Sequence, residues 1–427
     1  MITLQGFDAP IGTHDPAFDT IPFTSWTAGP DSPAKIHWTA RVLPAQLSFH
    51  QRLLTAASAQ LDGADLASRR GKGAFVVFAQ FTDAAGLIYQ DHTSVDLTKV
   101  EEGLTSSNVT YYVRAYVRPG EYRVAILLFD SATKEHWAKT EKITIASLRH
   151  DAFPDSWNEL AAVDFVPTVD APEAWVEPAS AAQLNLPAKT KTPARVDVVV
   201  NLSPSEEHAG AERLRNETLS ALIPTLQVIS EMQLGESTLS VALLDIARHR
   251  VVFHQDKVHD LQWDTLKDAF AEDATGTIDV KSLQDRGRNA AFFVKEVSRR
   301  ISAETPSGAR HTLIVLSSAM EFLPGEDLRP IEAGRPADCP VFYIRYYPPV
   351  PRREVVYAGR RGGFGRGMGG GRSGMEGPAG QMRAERSDTV DQLEKTLKPV
   401  SPRVFDVSTP EEMRKALAEI RDQIESL

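Results

Sequence analysis

Val109–Val117 alternates apolar and polar positions. Tyr111, Val113, Ala115 and Val117 share one face, and Tyr112, Arg114 and Tyr116 share the other. A two-residue period of this kind is that of a half-buried strand. Similar runs lie on either side. Ala74–Phe81 and Gly86–Gln90 flank the turn at 82–85. Pro119-Gly120 leads into Tyr122–Phe129, and a second turn at 130–133 leads into Trp137–Ile145. Short strands joined by turn residues predict an all-β sandwich over residues 38–147. Upstream, residues 1–37 are rich in Pro, Gly, Asp and Thr and predict an irregular arm, with Phe23 and Trp26 as anchors. Downstream, residues 148–193 carry Pro154, Pro167, Pro172, Pro178, Pro187 and Pro193. They predict a stiff, semi-extended linker with one more strand near Val163–Val166.

From residue 194 the period changes. Arg195–Val200 is an apolar strand, and Ala211–Met232 places Leu214, Leu222, Leu226 and Ile229 near helical spacing around Pro224. Leu239–Ile246 and Arg250–His254 read as a strand pair. Leu313–Leu316, Val341–Ile344 and Val404–Val407 read as strands, and Asn289–Ile301, Val390–Leu397 and Pro410–Ile424 as helices. Strands alternating with helices predict a three-layer α/β unit over 194–427 with a mostly parallel sheet. The last helix has its own start signal: Ser408 or Thr409 caps, Pro410 sits at the first helical position, and Glu411 and Glu412 meet the positive end of the dipole.

Composition narrows the function classes. The chain has 427 residues, which implies more than one domain. Its formal net charge of −10 repels phosphate backbones and argues against non-specific nucleic-acid binding by the whole chain, and no specific nucleic-acid partner is assigned. No apolar run reaches the ~20 residues of a membrane helix. Cys339 is the single cysteine, which excludes an intrachain disulfide, and its place before Val341–Ile344 suggests a packed thiol. The stretch MITLQGFDAPIGTHD has neither the basic nor the apolar region of a signal peptide. An extracytoplasmic chain whose signal was removed is favoured over a cytoplasmic one.

The stretch RVDVVVNLSPS at 195–205 carries the candidate chemistry. A buried strand (Val196, Val198, Val199, Val200) runs into Asn201, Ser203 and Ser205. This layout resembles the start of a von Willebrand factor A domain, where the first strand ends in D-x-S-x-S. The closing phrase RVFDVSTPEEMRKALAEIRDQI resembles the end of such domains. RPGEYRVAILLFD resembles the corner of an immunoglobulin-like or fibronectin-like sandwich. Together they make the chain similar to von Willebrand A-related proteins of the acidobacterial type. The resemblance implies a divalent-cation site built from Asn201, Ser203, Ser205, a threonine of 274–279 (Thr275 or Thr277) and Ser317. Both carboxylates expected of that site are missing, because Asn201 replaces one and Ser317-Ser318-Ala319 follows the fourth strand. Hard cations need negative oxygen ligands, so the implied site is degenerate, with weak Mg²⁺ or Mn²⁺ binding at most. Ser203-Pro204-Ser205-Glu206 also reads as a helix capping box, which explains both serines without an ion.

Arg352–Arg386 is Gly/Arg-rich and interrupted by single aromatics. It leaves from the predicted C-terminal edge of the sheet, the usual ligand side of open α/β sheets. Arg353, Arg360, Arg361, Arg366 and Arg372 would offer positive charge to an acidic protein partner. His249, His254 and His259 recur every five residues, a spacing that suits hairpin surfaces better than shared zinc ligation. No nucleophile or catalytic motif is recognisable, so no cofactor and no catalytic residue are assigned. Three readings stand: a non-enzymatic, metal-independent binding or scaffold protein, a cation-dependent adhesion protein, and a hydrolase with an unrecognised site.

Overall fold

The computed structural model describes residues 12–29, 36–100, 108–166, 183–203, 211–274, 288–303, 309–322, 328, 331, 339–348 and 391–426. Nine strands occupy the first part: β1 (Trp38–Val42), β2 (Gln46–Leu47), β3 (Leu53–Asp62), β4 (Ala74–Asp83), β5 (Ile88–Asp96), β6 (Asn108–Val117), β7 (Gly120–Asp130), β8 (His136–Ile145) and β9 (Val163–Phe165). They form two antiparallel sheets, ordered β1-β3-β6-β9 (with β2 on β3) and β5-β4-β7-β8. The alternation in the sequence becomes the core between them: Val113 and Ala115 face Phe75, Val77, Val124, Ile126 and Leu128. Gly86 adopts φ +84° in the β4–β5 turn, a backbone setting that favours glycine.

The second sheet is covered on its other face as well. A 3-10 turn (Pro16–Thr20) and α1 (Phe23–Ala28) bring Phe18, Ile21 and Phe23 onto Phe78, Ala125 and Leu127. Trp26 stacks on His136, with ring centroids 3.9 Å apart. The arm expected to be irregular thus contains short helical pieces, pinned by Phe23 and Trp26 and also by Phe18.

After α2 (Gly63–Ser68), the remaining helices are α3 (Ala211–Ser230), α4 (Trp263–Ala274), α5 (Asn289–Ile301), α6 (Gln392–Leu397) and α7 (Pro410–Ser426). The later strands are β10 (Leu186–Pro187), β11 (Ala194–Asn201), β12 (Met232–Gln233), β13 (Thr238–Asp245), β14 (Arg250–Gln255), β15 (Arg310–Ser318), β16 (Val341–Tyr346) and β17 (Arg403–Val407). Six of them form a sheet ordered β14-β13-β11-β15-β16-β17, while β10 pairs with β12. Val198, Val200, Leu316 and Ile344 pack with Leu222, Leu226, Leu417 and Ile420. On the opposite face Val199, Val315 and Tyr343 pack with Phe293, Val297, Leu393 and Leu397. The start of α7 is a reciprocal cap, because Glu412 N donates to Thr409 Oγ1 at 3.2 Å and Ser408 N donates to Glu412 Oε2 at 2.7 Å.

The expected fold class requires correction. Antiparallel pairing dominates the described chain, since every ladder of the first two sheets is antiparallel. The six-stranded sheet is itself mixed, because β14 returns antiparallel to β13. The physical reason is connection length. Asp245 and Arg250 are paired residues, so the 246–249 turn is too short for the crossover a parallel neighbour requires. A three-layer von Willebrand-type unit with a mostly parallel sheet is therefore not the class of this chain.

One buried cation ties the last helix to the segment that follows the sandwich. Arg414, 3% exposed, donates from Nε to Asp151 Oδ1 at 2.6 Å and from Nη2 to Phe153 O at 2.9 Å and Ser156 Oγ at 3.0 Å. Its guanidinium lies 5.1 Å from the Phe153 ring centre and 5.2 Å from that of Trp157. Nearby, the His50 imidazole meets Gln227 Oε1 of α3 at 3.0 Å. Burial pushes His50 down to about 4, against its hydrogen bond to Gln227.

Two outcomes follow from this junction. Arg414→Met should cost about 3–5 kcal/mol, because Asp151 loses its cation. In chemical denaturation, Asp151→Asn should add little to that loss; full additivity would show the pair to be uncoupled. His50 binds a proton more readily in the unfolded chain than in the folded one. Its contribution should be complete above pH ~6.5 and decline as pH falls toward 4, by at most about 3 kcal/mol. His50→Gln should flatten stability across that window, measured by melting temperature against pH.

Candidate functional site at the end of the six-stranded sheet

Parallel register brings three strand ends to one edge. Val200 pairs with both Leu243 and Leu316, so Asn201, Asp245 and Ser317 emerge together. Asn201 Nδ2 donates to Ser317 Oγ at 2.9 Å and approaches Met320 Sδ at 3.6 Å. Asn201 Oδ1 accepts from Ser203 N at 3.0 Å. Ser203 Oγ donates to Asp245 Oδ1 and accepts from Ala247 N, each at 3.0 Å. Asp245 Oδ1 also accepts from Arg248 N at 3.0 Å, and the guanidinium groups of Arg248 and Arg250 lie 3.7 and 3.8 Å from Oδ2. Ser317 Oγ donates onward to Ser318 O at 2.7 Å. Asn201, Ser203, Asp245 and Ser317 are all buried.

A second network lies beside the first. Arg345 of β16 donates to Asp406 Oδ1 at 2.8 Å, Asp391 Oδ2 at 3.1 Å and Glu394 Oε2 at 2.6 Å. Asp391 caps α6 through Leu393 N at 3.1 Å and accepts from Met320 N at 3.2 Å. Tyr343 donates its hydroxyl to Asp391 Oδ2 at 2.9 Å. Burial, and then the Asp391 charge, hold that phenol well above its ordinary range. Arg345 and Asp391 stand on the two sides of residues 349–390, so this ion pair closes the base of the Gly/Arg-rich segment.

Of the sequence-predicted residues, Asn201, Ser203 and Ser317 are brought together. Ser205, Thr277, Arg353, Arg360, Arg361, Arg366 and Arg372 lie outside the described residues. The Ser203 hydroxyl engages the 245–247 turn, a role the capping-box reading did not include. His249 sits in that turn with φ +52° and meets Asn289 Oδ1 at 2.8 Å, whereas His254 is exposed. Asp245, Asp391, Arg345 and Tyr343 were missed. Asp391-Gln-Leu-Glu394 carried a legible N-cap signal; a lone aspartate at a strand end did not.

The opposite end of the sheet holds another polar cluster. Asp197 is clasped by Arg195 at 2.8 Å and by His311 Nε2 at 2.6 Å. Burial alone would lower the His311 imidazole. Its hydrogen bonds with Asp197 and the Cys339 side chain outweigh burial and push it up to about 9. Cys339 is fully buried against this cluster.

No family model matches this chain. No curated protein matches it. Among solved structures it is similar to a protein described as ApaA from Bordetella pertussis, at 13% identity over 27% of this chain and 96% of that one, TM-score 0.18. A structural-genomics target, SoR45, matches at 14% identity over 27% of this chain and 89% of that one, TM-score 0.16. A glycosyl hydrolase family 2 member from Bacteroides cellulosilyticus DSM 14838 matches at 11% identity over 72% of this chain and 39% of that one, TM-score 0.18. Likenesses at this level carry no argument about activity. The prevailing antiparallel pairing corrects the family reading and the degenerate adhesion-site label that depended on it.

Asp245→Ala should cost about 2 kcal/mol, because it strands the Ser203 hydroxyl and the Arg248 N–H in a buried place. Chemical denaturation would read the loss. An unchanged midpoint would mean that the turn satisfies those donors by other means.

Proposed function

We propose that the chain is a non-enzymatic binding or scaffold protein working without a metal. Its working surface is the edge of the six-stranded sheet where β11, β13, β15 and β16 end. The observation that carries this reading is that the buried polar side chains under that edge are engaged with one another. Asn201 holds Ser317 and Ser203, Ser203 holds Asp245, and Arg345 holds Asp391. Such mutual satisfaction makes a rigid base. A nucleophile with its own general base would instead leave an oxygen facing the ligand.

The Gly/Arg-rich segment leaves from this base and returns to it. Its arginines, including Arg353, Arg360, Arg361, Arg366 and Arg372, supply the attraction for an acidic protein partner. An extracytoplasmic compartment goes with this reading. Among the described residues no helix is long and apolar enough to cross a membrane.

Deleting residues 359–380 should abolish capture of acidic protein partners in a pull-down while the melting temperature holds. Retained capture removes the segment from the proposal. Millimolar Mg²⁺ should leave the melting temperature unchanged. A rise that disappears in Ser203→Ala would favour cation-dependent adhesion instead.

A further inference from the structure

The first sandwich edge carries a group of metal-ligating side chains with no part in the surface described above. β5 is an edge strand of its sheet, and the N-terminal arm runs beside it, with Gln90 N donating to Thr13 O at 2.9 Å. That pairing sets Asp15 against Asp91 and His92. One ligand atom from each lies within 4.8 Å of the other two. Asp15 uses Oδ1 to cap the 3-10 turn through Ala17 N at 2.9 Å, while its Oδ2 meets His92 Nδ1 at 2.5 Å. The His92 ring is stacked on Phe78, with centroids 5.7 Å apart, which limits its rotation. Next to them His14 bridges Gln90 Oε1 at 2.9 Å and Asp19 Oδ2 at 3.1 Å.

We propose that Asp15, Asp91 and His92 form a binding site for a divalent transition-metal ion of the zinc class, which fastens the N-terminal arm to the sandwich edge. The donor set selects the metal. One imidazole and two carboxylates suit Zn²⁺ and its neighbours, whereas Mg²⁺ and Ca²⁺ favour oxygen alone. Tetrahedral donors at zinc bond lengths stand roughly 3.3 Å apart. No pair therefore needs to close by more than roughly 1.5 Å, within the reach of a side-chain rotation. Asp15 and His92 must open slightly to admit the ion in place of their shared proton. The ligands come from segments 76 residues apart, so an ion here cross-links two parts of the chain. Three protein ligands leave a fourth position for water.

The test uses the full chain without a histidine tag. Calorimetric titration with ZnCl₂ should show one tight equivalent, and zinc at tenfold over its Kd should raise the melting temperature by about 3 °C. Mg²⁺ at the same concentration should give neither effect. Asp91→Asn and His92→Gln should each weaken zinc binding at least tenfold, while His254→Gln leaves it intact. Cobalt titration supplies a second readout, since a ligand-field absorption band should appear in the parent chain and vanish in Asp91→Asn. Zinc binding of unchanged strength in both site variants, or no heat and no cobalt band in the parent, overturns the proposal.

Discussion

A charged side chain buried among protein groups is stable only when its neighbours replace water, and among the described residues Arg414 shows how this chain meets that condition. The last helix can lie where it does only if its guanidinium finds Asp151, two backbone or hydroxyl acceptors and two aromatic faces. All of these come from residues 151–157, just beyond the sandwich. The proline-rich passage is thereby fixed at one end. Gln51 Nε2, donating to Pro410 O at 3.3 Å, and His50, against Gln227, reinforce the same junction from the sandwich side. Hydrophobic burial supplies most of the stability of each layer, and this polar junction determines which surfaces meet.

Much of the element order was legible because period and length agreed. Asn289–Ile301 is a helix of the expected bounds, and Val109–Val117 alternates as β6 does. β3 escaped notice because LLTAASAQLD is built from small residues without large apolar alternation, although Ala57, Ala59 and Leu61 pack in the sandwich core. α4 was missed because its buried apolar anchors among the described residues, Leu266 and Phe270, are few and stand among charged residues. The pairing sense of β14 depends on a four-residue turn. The strand pair was legible, but its antiparallel return was not carried into the sheet, and the fold class was misjudged accordingly.

The polar edge was only half visible. Asn201 and Ser317 stood out because each ends an apolar strand, and register brings them together. Asp245, Arg345 and Asp391 act through partners 42 to 61 residues away. Single-sequence spacing carries no trace of such pairs. A motif read from the first loop suggested an ion pocket; of its oxygens, those of Asn201, Ser203 and Ser317 are hydrogen-bonded within the protein.

The Arg345–Asp391 clamp has a consequence for how this molecule can diversify. Because Arg345 and Asp391 are held together on either side of residues 349–390, the length of chain between them is decoupled from the register of β16 and α6. Chain-closure entropy grows only logarithmically, so doubling such an excursion costs roughly 0.6 kcal/mol. Segments of quite different length can therefore be exchanged between β16 and α6 with little effect on the fold they join.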